Sequence, residues 1–178
     1  KNEIYHCYKD KDGVKVFLDD YTYLAQLMIN FYETTGEINY LNDAKKIVQQ
    51  TWDLFYDKEN KILQKNPIKQ NDLFVPPLDI NDSNIPNGNS VFLLNCKKLE
   101  AITGDTKWQG MAKELTQSFH SFLNLKSTQM ASYIKNLDMC EELTTFTFFG
   151  DIKKIKELQQ FVKKNYLKSS TLIYKEDR

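Results

Sequence analysis

Metal-binding and redox residues are scarce in this chain. It has only two histidines, His6 and His120, and three cysteines, Cys7, Cys96 and Cys140. The cysteines are odd in number, widely spaced and form no CxxC pair, so neither a zinc cluster nor a disulfide framework is expected. The sequence calls for no metal and no cofactor. Neither charge sign is in excess: 24 Lys and Arg balance 24 Asp and Glu. That removes the electrostatic case for a nucleic acid or an anionic membrane as partner. No apolar run approaches the roughly 18 residues that span a bilayer, and no signal-peptide pattern opens the chain. Reduced cysteines and the lack of a targeting pattern give a cytoplasmic expectation. The chain begins at Lys1 rather than Met, so it is read as a fragment.

What is present is enough to fold. The 178 residues are 41% hydrophobic and include ten Tyr and eleven Phe, which suits one domain with a sizeable core. Residues 20 to 34 predict an amphipathic helix: Leu24, Leu27, Met28 and Phe31 recur at helical spacing, Asp19 or Asp20 caps the start, and Gly36 ends it. A second helix is predicted over 40–55, with Leu41, Ala44, Ile47, Val48, Thr51 and Leu54 on its apolar side. All four prolines fall between 57 and 86, a long irregular loop with a strand-like piece at Ile62-Leu63. Further helices are expected over 89–102, 106–123 and 129–142. The β-branched and aromatic run Thr144–Phe149 reads as a strand, 152–166 as a helix and Ser170–Lys175 as another strand. Together they make a βαβ unit with parallel pairing.

An internal repeat organises the first part. Residues 35–45, TGEINYLNDAK, match residues 103–113, TGDTKWQGMAK, at an offset of 68. Both carry Thr-Gly-acid, an aromatic three residues later and Ala-Lys four beyond that. The same offset aligns Leu24 with Phe92, Met28 with Cys96 and Phe31 with Leu99. Each copy reads as a helix, a tight turn at Gly and a returning helix. The polar tetrads Asp19-Asp20-Tyr21-Thr22 and Asn87-Gly88-Asn89-Ser90 then precede the first helices of two successive hairpins. If the hairpins stack in one orientation, both tetrads lie at one end, where free helix N–H groups favour polar ligands.

Several motifs resemble one family. His6, Phe17-Leu18-Asp19-Asp20-Tyr21, the turn Tyr32-Glu33-Thr34-Thr35-Gly36, Pro86-Asn87-Gly88-Asn89-Ser90, Leu137-Asp138 and the strand before Gly150 occur in the order seen in YyaL-type proteins, which include the spermatogenesis-associated thioredoxin-domain proteins. The resemblance covers nearly the whole chain. It implies a mainly α fold: residues 1–142 would form the later part of an (α/α)6 toroid similar to that of N-acylglucosamine 2-epimerases, with hairpins at about 20–56 and 88–123 and a loop at 57–86. Residues 143–178 would form the βαβ tail. The family's thioredoxin-like domain is not in this sequence. Asn87 stands where the family pattern usually has Ser, and the basic residues expected near Leu73-Phe74-Val75 are missing.

Each candidate site residue has a plain reading beside its functional one. Asp19 and Asp20 are helix-capping residues, or Asp20 is a hydroxyl acceptor or general acid–base whose pKa burial would raise. Asp138 is a solvated helix residue or a partner carboxylate. Asn87, Asn89 and Ser90 form a turn and cap, or they contact a neutral polyol through groups that both donate and accept. Tyr21 and Tyr5 pack in the core or stack on a sugar ring. His6 is structural or transfers a proton. Cys7 has no base fixed beside it, and His120 reads as structural. Gly150-Asp151 offers a weak anion-binding turn, and the lysines after it read as a solvated face. The leading expectation is a carbohydrate-active-like domain with Asp20 or His6 as catalytic groups and Asp19, Tyr21, Asn87, Asn89, Ser90 and Asp138 as ligand contacts. The alternative is a non-catalytic scaffold whose partner is a thioredoxin-like domain, a remaining toroid segment or a second copy.

Overall fold

The computed structural model describes residues 4, 6, 16–68, 80–150, 152–165 and 170–175. Tyr5, Cys7, Leu73–Val75, Pro76, Pro77 and Asp151 lie outside the described residues. The elements run α1 (Leu18–Thr35), α2 (Ile38–Phe55), β1 (Tyr56–Asp57), β2 (Ile62–Leu63), α3 (Gly88–Thr103), α4 (Thr106–Lys126), a 3-10 turn, α5 (Ala131–Glu141), β3 (Thr144–Phe149), α6 (Ile152–Lys164) and β4 (Ser170–Lys175). No helix among the described residues is long and apolar enough to cross a membrane.

The repeat folds as two helical hairpins. Gly36 and Gly104 end α1 and α3 with φ of 75° and 70°, the left-handed conformation that glycine adopts without a Cβ penalty. Their N–H groups donate back to Tyr32 O at 2.7 Å and Glu100 O at 2.8 Å. Helix α1 packs on α2, α3 on α4, and α3 also lies between α1 and α5. Asn95 Nδ2 on α3 donates to Thr22 O on α1 at 2.8 Å, and Asn136 Nδ2 on α5 donates to Ser90 O on α3 at 2.9 Å. Each bond runs from the middle of one helix to the first turns of its neighbour, and the starts themselves meet, Gly88 against Leu18 and Ser132 against Ser90. Helices α1, α3 and α5 therefore run parallel in one layer, with α2 and α4 behind. Their shared core includes Ala25, Ile29, Val48, Phe92, Leu99, Trp108 and Leu115.

One expectation fails in detail. Helix α1 buries Leu18, Tyr21, Thr22, Ala25, Ile29 and Tyr32, not the stripe built on Leu24, Leu27 and Phe31. Leu27 and Phe31 are 44% and 40% exposed. A helix wedged between two neighbours needs a broad buried face, and small or polar residues such as Ala25 and Thr22 fill the close contacts. The more apolar stripe is left on the open flank. Asp20 is also not the N-cap: Phe17 holds that place, and Asp20 Oδ2 accepts the Phe17 N–H at 2.9 Å. The loop after α2 contains a short antiparallel hairpin, with Tyr56 opposite Leu63 and Asp57 opposite Ile62.

The βαβ unit has the predicted strands and parallel pairing, with Thr144 opposite Ser170 and Phe149 opposite Lys175. Phe148, Ile155 and Leu172 form a second small core under α6. Strand β4 joins the unit to the helical layers: Ile173 belongs to the main core, and Thr171 Oγ1 donates to Glu33 Oε1 at 2.7 Å.

Candidate functional site

The two polar tetrads meet. An added Cβ on Gly88 would lie 2.6 Å from Asp19 Oδ1 and 2.9 Å from Leu18 Cγ, so only glycine lets the starts of α3 and α1 approach this closely. The reason is steric, because Gly88 opens a regular helix. Helix α5 starts at the same end: Ser132 N donates to Asp82 Oδ2 at 2.7 Å, and Ser132 Oγ lies 2.6 Å from Ser90 Oγ and also bonds the Asp82 carboxylate. Asp82 thus caps α5 from a distant loop, where the N-cap residue Met130 offers no side-chain acceptor.

Most of the NGNS tetrad turns inward. Asn87 Oδ1 accepts Asn89 N at 2.9 Å, as an N-cap should. Asn89 is buried, and both ends of its amide bind the Leu63 backbone: Oδ1 accepts the N–H and Nδ2 donates to the carbonyl, each at 2.9 Å. Ser90, also buried, donates to Asn87 O at 2.7 Å. Tyr21 sits in the core with its ring edge-on to Phe55. These side chains hold helix starts and loop together. Asp138 is on α5, beyond α3 from α1, and lines no part of the cleft described next.

That cleft opens beside the start of α1. Its volume is about 690 Å³, and its walls include His6, Asp19, Asp20, Tyr23, Leu24 and Lys65. His6 Nδ1 lies 2.8 and 3.0 Å from the two Asp20 oxygens, and Phe17 meets the imidazole edge-on at 4.9 Å. A carboxylate only accepts, so Nδ1 carries the proton and a neutral ring keeps its lone pair on Nε2. Asp20 therefore does two things: it holds the helix start through Phe17 N and fixes the orientation and tautomer of His6. Tyr23 donates to Pro86 O at 3.0 Å. Burial, then Asp19 and Asp82, raise its pKa, so it presents a neutral phenol wall. The His6–Asp20 contact joins residues fourteen apart, and the residues near Tyr23 gave no sign that it would line the same cleft.

A larger hollow of about 810 Å³ lies around α4 and α5, with Lys97, Lys113, His120, Cys140 and Glu141 among its lining. It offers little chemistry. Burial pushes the Cys140 thiol up to about 11, far from a reactive thiolate, and His120 Nδ1 bonds Thr116 O at 2.9 Å. At the weak anion-binding turn, Gly150 N is already engaged, donating to Lys175 O at 3.1 Å, and Asp151 lies outside the described residues. Among the described residues no group of three His, Cys, Asp or Glu could hold a metal ion.

The raised pKa values predict alkaline sensitivity. Burial first raises Cys140 from 9.0 to about 11, and burial first raises Tyr174 from 10.0 to about 12. Each group stays protonated in the fold at a pH where the unfolded chain has released its proton. Their contribution is therefore complete below about pH 9 and declines as pH rises to about 12. Urea midpoints measured from pH 8 upward should fall across that window. A flat profile would contradict the burial of these groups.

No family model matches the chain, and no curated protein matches it significantly.

Proposed function

We propose that the chain is an arc of an α/α toroid that binds a neutral sugar or polyol in the cleft beside α1, with the His6–Asp20 pair able to move a proton there. The observation that carries this is the positioned imidazole. It is oriented by Asp20 in the lining of a cleft that combines carboxylates with the apolar and aromatic walls Leu24, Leu27 and Tyr23. Such mixed concave surfaces suit the hydroxyls and the C–H faces of a sugar. The parallel layer α1, α3, α5 backed by α2 and α4 supports the toroid reading, as does the resemblance to YyaL-type proteins. Asp19 and Asp20 remain the ligand contacts of this reading, while Tyr21, Asn87, Asn89 and Ser90 are not among the residues that line the cleft.

A thermal-shift screen of mono- and disaccharides tests it. A ligand at a hundred times its Kd adds about 2.7 kcal/mol, which for a chain of this size raises Tm by roughly 5–10 °C. His6→Ala should remove the shift while leaving the ligand-free Tm nearly unchanged, since His6 is exposed. Asp20→Asn, which keeps an acceptor for Phe17 N, should weaken it. If no sugar shifts the wild-type protein, the reading fails.

One observation favours the scaffold alternative. The offset of 68 aligns Leu27 with Asn95 and Phe31 with Leu99. Asn95 and Leu99 are fully buried, whereas Leu27 and Phe31 are open. The flank of α1 that corresponds to a covered flank of α3 is apolar and uncovered, as a surface awaiting another helix of the same array or a thioredoxin-like partner would be. Loss of a co-purifying partner on Leu27→Lys, with no sugar-induced shift, would select this reading.

A further inference from the structure

The β3–β4 sheet is unevenly covered. The register places Thr145, Thr147 and Phe149 on one face with Thr171, Ile173 and Lys175. Among the described residues the helical layers meet that face at β4, through Thr171 and Ile173. Thr145, Thr147 and Phe149 stay exposed. On the other face Phe146 and Phe148 pack under α6 with Ile155. Among the described residues β3 has one strand neighbour, β4, so its outer edge presents unpaired N–H and C=O groups. Soluble proteins normally blunt such an edge with charge, proline or a bulge. The sequence TTFTFF has no charge and no proline, and it pairs in unbroken register with β4.

The surroundings are apolar as well. Phe149 is 63%, Leu158 60% and Phe161 66% exposed. Gln159 Nε2 on α6 donates to Glu33 O at 2.9 Å, so that side of the helix faces α1. At about 100° per residue, Leu158 and Phe161 fall on the opposite flank, above the open edge.

We propose that β3 pairs antiparallel with β3 of a second copy about a two-fold axis at Thr147, giving a continuous four-stranded sheet. The strand is complementary to itself in that register. Thr147 meets Thr147, Phe146 meets Phe148 beneath the α6 helices, and Thr145 meets Phe149 on the open face. Aromatic–aromatic and aromatic–β-branched cross-strand pairs are favourable, and no like charges face each other. A two-fold contact needs only this one patch from each copy. The same symmetry brings Leu158 and Phe161 of the two copies toward the junction. This interface is independent of the cleft beside α1.

Sedimentation equilibrium over a concentration series tests the proposal. The wild-type chain should associate to a dimer. Thr147→Lys puts two ammonium groups on the axis and should raise the dissociation constant about tenfold or more, whereas Thr147→Val should preserve the dimer. Thr147 is exposed, so neither change should disturb the monomer fold. As a check that needs no substitution, hydrogen exchange at Thr144–Phe149 should slow as protein concentration rises. A monomer throughout the series would overturn the proposal. So would a dimer that withstands Thr147→Lys but dissociates with Leu27→Lys, or exchange at β3 that ignores concentration.

Discussion

Replacing Glu33 by alanine is expected to lower Tm by about 10 °C and to loosen the βαβ tail from the helical layers. Glu33 is nearly buried at the end of α1, and each of its polar atoms has a partner. Oε2 accepts Lys98 Nζ at 2.8 Å, and Oε1 accepts Thr171 Oγ1 at 2.7 Å. Its backbone carbonyl accepts Gln159 Nε2 at 2.9 Å and the Tyr174 hydroxyl at 2.7 Å. The side chains of Lys98 and Glu33 are only 13% and 12% exposed. Surface ion pairs contribute little, but this pair is largely out of water. Alanine strands the Lys98 ammonium in its site, and breaking a buried pair from one side costs about 3–5 kcal/mol. At 2–4 °C per kcal/mol for a chain of this size, the fall in Tm follows.

The variants separate charge from packing. Glu33→Gln keeps an acceptor for Lys98 or Thr171 and should cost less than alanine. The double change Glu33→Met with Lys98→Met removes both charges together and should recover much of the loss, because a well-packed apolar pair often matches a buried ion pair. Hydrogen exchange in β4 should accelerate in Glu33→Ala more than exchange in α2. If calorimetry shows a loss below about 1 kcal/mol, as for an exposed pair, the assigned role is wrong.

Elements defined by local patterns were legible in the sequence, and contacts between distant residues were not. The Thr-Gly-acid turns carry their own signal, since Gly36 and Gly104 take the left-handed conformation that ends a helix. Thr144–Phe149 and Ser170–Lys175 were bounded correctly because β-branched and aromatic runs with a helix between them leave little choice of pairing. The repeat offset correctly put the two tetrads at one end. What each tetrad residue does there was hidden. Asn89 answers to Leu63, twenty-six residues away, and Asn136 reaches Ser90 across forty-six. The partners of the Glu33 carboxylate lie 65 and 138 residues along the chain. The buried face of α1 was misjudged for a related reason. Hydrophobic periodicity finds the most apolar stripe, whereas a helix between two close neighbours is selected for small residues at the crossings.

Asn89→Ala should be nearly as damaging as the Glu33 change, and its effect distinguishes a structural residue from a ligand contact. The amide imitates a paired strand, accepting from Leu63 N and donating to Leu63 O at 2.9 Å each. Both residues are buried, so alanine leaves a donor and an acceptor without partners. Each such orphan costs about 1–3 kcal/mol, which gives roughly 3 kcal/mol in total and a Tm lower by about 8 °C. Asn89→Asp should not rescue the protein: it keeps an acceptor for Leu63 N but turns a second acceptor toward Leu63 O. The damage should spread along the chain, because Lys65 O receives Leu18 N at 2.9 Å at the start of α1. Exchange at Leu63 and Leu18 should therefore quicken together. A residue that only contacted ligand would lose binding with its Tm intact. An Asn89→Ala protein as stable as wild type would move the residue from the scaffold back to the ligand.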